Sequence, residues 1–272
     1  MDPILNRFGY DAFREGQKEI ITALEEGHDA IAILPTGNGK SFIYQYIGIK
    51  ENCRVVIVSP LIALMVDQVA SLKQLGIHRA VAITSLMSES EKNYILSTLN
   101  EYQFIFVSPE MLQAPRFFKQ LSKLEIGLLV VDEAHCISQW GYDFRSDYLF
   151  IGKMRKSLGS PRTLALTATA TTQVIHDIYT FLGLKKEETT YFQGHAFLKN
   201  REIDVVLVEG LRSKMLNELL KRVDFPCIVY ASTIKEVEGL KESLLEEGFT
   251  KIDTFHSKRH SGERQTIQQK FF

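Results

Sequence analysis

Six short apolar runs, almost free of polar residues, constrain this chain more than any other feature of it. They lie at residues 30–34, 55–58, 80–83, 104–107, 128–131 and 163–166. A strand with one wet face alternates apolar and polar residues, so unbroken runs of this length predict strands covered on both faces, as in a parallel sheet. Between them, residues 17–26, 63–75, 89–100 and 170–181 carry helical periodicity. Strand–helix alternation of this kind predicts a doubly wound α/β fold. After a polar stretch around 185–201 the pattern restarts, with apolar runs at 205–208, 227–230 and 252–255 and helical patterns at 213–223, 235–247 and 262–272. A chain of 272 residues suggests two domains at roughly 150 residues each. We expect them at 1–200 and 201–272. Three strands are too few for a complete domain of this type, so the second is expected to be incomplete.

Composition narrows the class. The chain carries 32 Lys and Arg against 33 Asp and Glu, with 45% hydrophobic and 24% charged residues. That mix excludes a disordered chain, a collagen-like repeat and a coiled coil. It also excludes a globally basic nucleic-acid binder, though not a local basic groove. No apolar run approaches the ~18 residues of a membrane span, and residues 1–7 lack the basic and apolar regions of a secretory signal. A protein that is neither membrane-bound nor secreted is expected. Cys53, Cys136 and Cys227 are scattered, which predicts reduced thiols in a cytosolic or nuclear compartment and no zinc site.

Two segments carry chemistry. The first run leads into Pro35-Thr36-Gly37-Asn38-Gly39-Lys40-Ser41, a strand, a turn and a helix start. Gly37 and Gly39 permit a tight turn whose N–H groups, with those of Thr36 and Asn38, can wrap a phosphate. The helix adds its positive N-terminal end. Lys40 is expected to reach the outer phosphates of a nucleoside triphosphate, and Ser41 to take a place on Mg²⁺. Leu34 stands where the strict phosphate-loop pattern has glycine. The second segment is Leu128-Leu129-Val130-Val131-Asp132-Glu133-Ala134-His135, two carboxylates at the end of a buried strand, where doubly wound sheets place their ligands. Asp132 suits Mg²⁺, and Glu133 suits activation of an attacking water. An acidic pair at a strand end is also a common solvated turn; it is the phosphate loop upstream that makes nucleotide hydrolysis the expected chemistry.

Around these segments the chain resembles the RecQ-family DNA helicases of superfamily 2. The resemblance rests on Asp132-Glu133-Ala134-His135-Cys136-Ile137-Ser138-Gln139-Trp140-Gly141-Tyr142-Asp143-Phe144-Arg145, similar to that family's aromatic-rich loop. It rests also on Phe8-Gly9-Tyr10 with Phe13-Arg14-Glu15-Gly16-Gln17, on Ser59-Pro60-Leu61-Ile62-Ala63-Leu64-Met65, on Val107-Ser108-Pro109-Glu110, and on Leu166-Thr167-Ala168-Thr169-Ala170, in family order. It implies two RecA-like domains with parallel sheets that bind ATP and Mg²⁺ and translocate 3′→5′ on single-stranded DNA, opening forked or junction DNA. The place of work implied is the bacterial cytoplasm near the nucleoid, or the nucleus of a eukaryote.

The resemblance also implies roles for individual residues. Tyr10 and Arg14 would sandwich adenine and Gln17 would bond its edge, though Tyr10 and Phe13 equally suit packing at a helix entry. Lys40, Asp132, Glu133 and His135 would form the catalytic set. Gln139, Thr167 and Thr169 would couple nucleotide state to movement; the threonines equally suit helix capping. Ser59, Ser108 and Ser232 would meet DNA phosphates. Trp140, Phe144 and Arg145 would meet the DNA, with Trp140 stacking on an unpaired base. A loop tryptophan packed back on the core is the alternative. Lys258-Arg259-His260 is a basic patch suited to phosphate or, as we expect, to a solvated turn. No segment resembles the family's motifs V and VI or its zinc and winged-helix modules, so a truncated, poorly active helicase core is expected. Two other readings stay open: an RNA-dependent ATPase of the DEAD/DEAH type, and a nucleotide-gated binding module that does not unwind.

Overall fold

In a computed structural model that describes residues 2–84, 87–141, 143–194, 203–208, 212–223 and 226–271, the six apolar runs become six neighbouring strands. They are β1 (Asp29–Ile33), β2 (Val55–Val58), β3 (Ala80–Ile83), β4 (Phe104–Val107), β5 (Leu128–Val131) and β6 (Thr163–Thr167), joined by a seventh, β7 (Thr189–Gln193). All pairings are parallel, in the order β3-β4-β2-β5-β6-β1-β7. The helices are α1 (Pro3–Arg7), α2 (Gln17–Glu25), α3 (Lys40–Lys50), α4 (Ile62–Gln74), α5 (Glu89–Ser97), α6 (Pro109–Leu112), α7 (Pro115–Leu121), α8 (Ile151–Ser157) and α9 (Thr172–Leu182), then α10 (Arg212–Leu220), α11 (Ile234–Glu246) and α12 (Ser261–Phe271).

Burial explains why the runs lack polar alternation. On β4, Phe104 and Phe106 pack into one core with Ile43 and Ile47 of α3 and Met65 and Leu72 of α4. Ile105 and Val107 point the other way, into a second core with Phe117 of α7 and Val174 and Ile178 of α9. Both faces are dry, so a polar residue at any of these positions would lose its water without gaining a partner. β7 falls inside the stretch that reads as polar. It is an edge strand paired only with β1, and its burial alternates along Thr189–Gln193. A single covered face needs only every second residue apolar, so this strand carries no run.

Two compact units divide the chain, residues 1–201 and 202–272. In the second, the expected strands at 205–208, 227–230 and 252–255 are corrected: among the described residues these segments form no strand pairing. Val205, Leu207 and Tyr230 are 88%, 91% and 90% exposed. β-branched and aromatic composition expresses fit to a half-buried pleated surface, and without paired neighbours it does not by itself make a strand. Among the described residues there, only the helices α10, α11 and α12 take regular form, α11 opening on a capping box in which Thr233 and Glu236 cap each other's backbone N–H. Lys258-Arg259-His260 lies in a turn, with Arg259 directed back onto Thr254 and Glu238.

Candidate active site

Strand order brings the motifs together. Along the sheet, the C-terminal ends of β4, β2, β5, β6 and β1 are neighbours, and they deliver Ser108, Ser59, Asp132, Thr167 and the turn 35–40 in that sequence. Backbone bonds continue the register past the strand ends: Ser59 N to Val107 O at 3.1 Å, Asp132 N to Val58 O at 2.9 Å and Leu34 N to Thr167 O at 3.0 Å. The crevice at the carboxyl ends of such strands is where an open α/β sheet binds its ligands.

The turn after β1 holds Gly37 at φ 85° and Gly39 at φ 73°, left-handed positions that favour glycine. A Cβ on Gly39 would also stand 2.6 Å from the Gln17 amide nitrogen. The turn's carbonyls are held from behind. Gln17 Nε2 donates to Asn38 O at 3.3 Å and Gly39 O at 3.1 Å, and Arg14 Nη1 donates to Gly37 O. Gln17 Oε1 meanwhile accepts from Arg14 N at 2.8 Å. The nearly fully buried Gln17 amide is thus engaged at both ends by protein groups in this structure, where the resemblance implies the adenine edge. The adenine sandwich is not open either. The Arg14 guanidinium lies 5.6 Å from the Tyr10 ring centre, closer than the ~7 Å that an interposed base layer needs. Tyr10 sets its edge on Phe42 at 5.0 Å, as helix-entry packing predicts.

Asp132 and Glu133 leave β5 in different directions. Burial, and then the Glu133 charge beside it, push the Asp132 carboxyl up to about 6. Asp132 shares a small cavity with Ser41, Ser59, Tyr44 and Gln68. The oxygen donors of Asp132 and Ser41 on one cavity fit a hard cation such as Mg²⁺. Among the described residues no group of three His, Cys, Asp or Glu could hold a metal ion. A carboxyl raised in this way binds its proton more tightly folded than unfolded, so its charge costs stability as pH rises from about 4 to about 6. Asp132→Asn is therefore expected to be more stable than the parent in metal-free buffer at pH 7, by about 1–3 kcal/mol, with the gap closing as pH falls through that window. Urea melts of both proteins at pH 4 and 7 check it; equal stability at pH 7 would count against the buried charge.

Glu133 sits in the left-handed region at φ 47°, one of three such non-glycine residues among those described, a strain of about 1–2 kcal/mol that functional turns often carry. Its Oε2 lies 3.3 Å from His135 Nδ1, and that hydrogen bond, opposed by burial, holds the Glu133 carboxyl below the usual range. His135 Nδ1 is also 3.0 Å from Thr167 Oγ1. The Thr167 hydroxyl already donates to Thr169 O at 3.0 Å, so it accepts from His135, which assigns the proton to Nδ1. Thr167 thus bridges the ends of β5 and β6, and the cap of α9 falls to Thr171 instead. Thr169 is exposed.

Trp140 is 76% exposed and Phe144 38% exposed, so the packed-back alternative does not hold. Gln139 is exposed beside Trp140. Arg145 is tied by Nε and Nη2 to Asp143 at 3.1 and 3.0 Å and by Nη1 to Pro60 O at 3.2 Å. Tyr142 lies outside the described residues. Two of the expected phosphate-contacting hydroxyls face protein groups in this structure. Ser59 is 2% exposed and donates to Asp132 Oδ2 at 3.3 Å; Ser108 is 5% exposed and caps α6 by accepting from Met111 N. Ser232 is exposed before α11, in the second unit.

The sequence reading overlooked the support beneath these groups. Fully buried Tyr148 donates its hydroxyl to Asp132 O at 2.9 Å, and fully buried Ser138 donates to Asp177 of α9 at 2.6 Å. An acid beside Ile178, at the margin of the apolar stripe of α9, was the one legible signal for the second.

The DEAD/DEAH box helicase model matches residues 14–178. The probable ATP-dependent DNA helicase RecS of Bacillus subtilis is 39% identical over 97% of this chain and 53% of its own length. The ATP-dependent DNA helicase RecQ of Haemophilus influenzae is 33% identical over 97% of this chain and 42% of its own. The chain thus spans about half the length of the curated relatives it matches. Among solved structures, the DNA-bound DUF1998 helicase MrfA superposes with a TM-score of 0.73 at 16% identity, over 98% of this chain and 41% of that one, a likeness of fold. With more than half of its length matched by the family model, the chain belongs to the DEAD/DEAH box helicases, and its curated relatives are RecQ and RecS DNA helicases.

Proposed function

We propose that this chain is the ATP-binding core, with part of a second RecA-like domain from about residue 201, of a RecQ-type DNA helicase that translocates 3′→5′ on single-stranded DNA and opens forked or junction DNA. The observation that carries the reading is the common root of two sites: Glu133 and exposed Trp140 leave one short turn, Ala134–Ile137, at the end of β5. Lys40 binds the outer phosphates and Glu133 takes a proton from the attacking water. Ser41 and Asp132 hold Mg²⁺, which when bound neutralises phosphate charge. His135 and Thr167 hold Glu133 in line and pass its position to β6. For adenine to bind between Tyr10 and Arg14, the Arg14 side chain swings off the ring. Trp140 stacks on an unpaired base and reports it to the catalytic turn, with Phe144 and Arg145 beside it. Such an enzyme works where chromosomal DNA is, in the bacterial cytoplasm or the eukaryotic nucleus.

Trp140→Ala in the intact protein tests this. DNA-stimulated ATP turnover is expected to fall about tenfold, within the ~1–3 kcal/mol of one stacked base, and DNA-free turnover far less. DNA affinity falls modestly, because phosphate contacts supply most of it. Undiminished DNA stimulation in the folded variant refutes the sensor role. Equal stimulation by RNA and DNA oligonucleotides favours the RNA-dependent reading, and absent strand separation by the intact protein favours the binding module.

A further inference from the structure

Ser138 is fully buried, and its hydroxyl makes two bonds of opposite sense. It donates to Asp177 Oδ2 at 2.6 Å and accepts from the backbone N–H of Trp140 at 3.1 Å. Asp177 stands on α9 with its side chain 14% exposed. Its second oxygen accepts from Gln173 Nε2 at 2.9 Å, and exposed His176 lies 3.6 Å from the same oxygen. An ionised carboxylate can only accept. Facing Asp177, the Ser138 hydroxyl must therefore point its proton at α9, and a lone pair is left for Trp140 N–H.

We propose that Asp177 is a positioning residue for nucleic-acid sensing: by setting the polarity of the Ser138 hydroxyl it holds the backbone of Trp140 in one orientation against α9, the helix that follows Thr167 and Thr169. The ring stays free to meet a base while its backbone is anchored. A base stacking on Trp140 then pulls on a short, charge-assisted bond to α9 instead of on a slack loop. The proposal rests on the reading that Trp140 meets an unpaired base. It adds which residue makes that contact transmissible.

Asp177→Asn is nearly isosteric but can present its amide N–H to Ser138. Whether the amide offers its N–H or its oxygen, the charged acceptor is gone, so the Ser138 proton is no longer held toward α9 by a charge-assisted bond and the hold on Trp140 N–H loosens. Trp140 is the only tryptophan in the chain, so its fluorescence reports this position alone. In the 272-residue chain without DNA, the residual time-resolved anisotropy of Trp140 is expected to drop in Asp177→Asn and in Ser138→Ala, while the urea midpoint falls but both variants stay folded without urea, and the affinity for a non-hydrolysable ATP analogue stays unchanged. The double variant is expected to be no looser than either single one, since both remove the same link. In titrations with an oligothymidine, the quenching amplitude at saturation is expected to fall by about half or more, as the share of stacking-competent loop drops, while the half-maximal concentration shifts only modestly, because phosphate contacts supply most of the affinity.

Unchanged anisotropy in folded Asp177→Asn overturns the proposal, as does additive loosening in the double variant. Should Asp177→Asn fail to fold, Ser138→Ala carries the test, and unchanged anisotropy there overturns it equally. If oligothymidine does not quench wild-type Trp140, the base-stacking reading fails on its own, and the DNA-free anisotropy still decides the clamp.

Discussion

Glu133→Gln in the intact protein is expected to bind ATP with nearly parental affinity and hydrolyse it about 10²–10⁴-fold more slowly, the usual contribution of a positioned general base. The amide keeps the shape of the carboxyl but cannot take a proton from water. Glutamine suffers the same left-handed strain at φ 47° as glutamate, so the backbone of the turn has no reason to relax. The parent carboxyl is held ionised by His135, whose Nδ1 lies 3.3 Å from Oε2, and the nearby Lys40 charge acts in the same direction. Calorimetry with a non-hydrolysable analogue and single-turnover hydrolysis separate the two halves of the expectation. Wild-type turnover in the glutamine variant would remove Glu133 from the role of base.

Lys40→Ala should act earlier, on binding itself. Its ammonium stands at the first residue of α3, directly after the left-handed Gly39. There, on the proposed function, it would reach the outer phosphates that the loop's N–H groups would surround. A hydrogen bond to a charged group is worth ~1.5–3 kcal/mol, so nucleotide affinity should fall about 10–100-fold and turnover with it. The loss extends to the carboxylates, since the Lys40 charge helps keep both Asp132 and Glu133 ionised. Lys40→Arg should rescue little, because a planar fork does not replace a compact point charge in a cradle of fixed size. Fluorescent-nucleotide titration of the three proteins decides it, and parental affinity in the alanine variant would mean that the loop does not bind phosphate through this residue.

How much of this was legible in the sequence depended on whether the determining interactions were local. The strands β1 to β6 could be read because burial on both faces writes itself into consecutive residues such as 104–107, and β7 could not, because a half-exposed edge leaves only alternation in a short polar stretch. The turn after β1 was readable because left-handed backbone at Gly37 and Gly39 has few other solutions. In the second unit, apolar composition at 205–208 and 227–230 misled, since a strand also needs neighbours that composition does not specify.

For single side chains the limit lay elsewhere. That Asp132 and Glu133 follow the end of β5, that Lys40 opens the helix after the turn of β1 and that Trp140 lies in the loop beyond β5 followed from sequence, because a buried run precedes each segment and fixes where it starts. That Gln17 grips the carbonyls of Asn38 and Gly39, that Ser59 faces Asp132, that Thr167 accepts from His135 and that Ser138 is held by Asp177 did not follow. Amides and hydroxyls can bond to ligand, solvent or protein with similar energy, and nothing in their own sequence neighbourhood chooses among these. Only the order β4-β2-β5-β6-β1, which brings together residues as far apart as Ser59 and Asp132, decided which partner each of them meets.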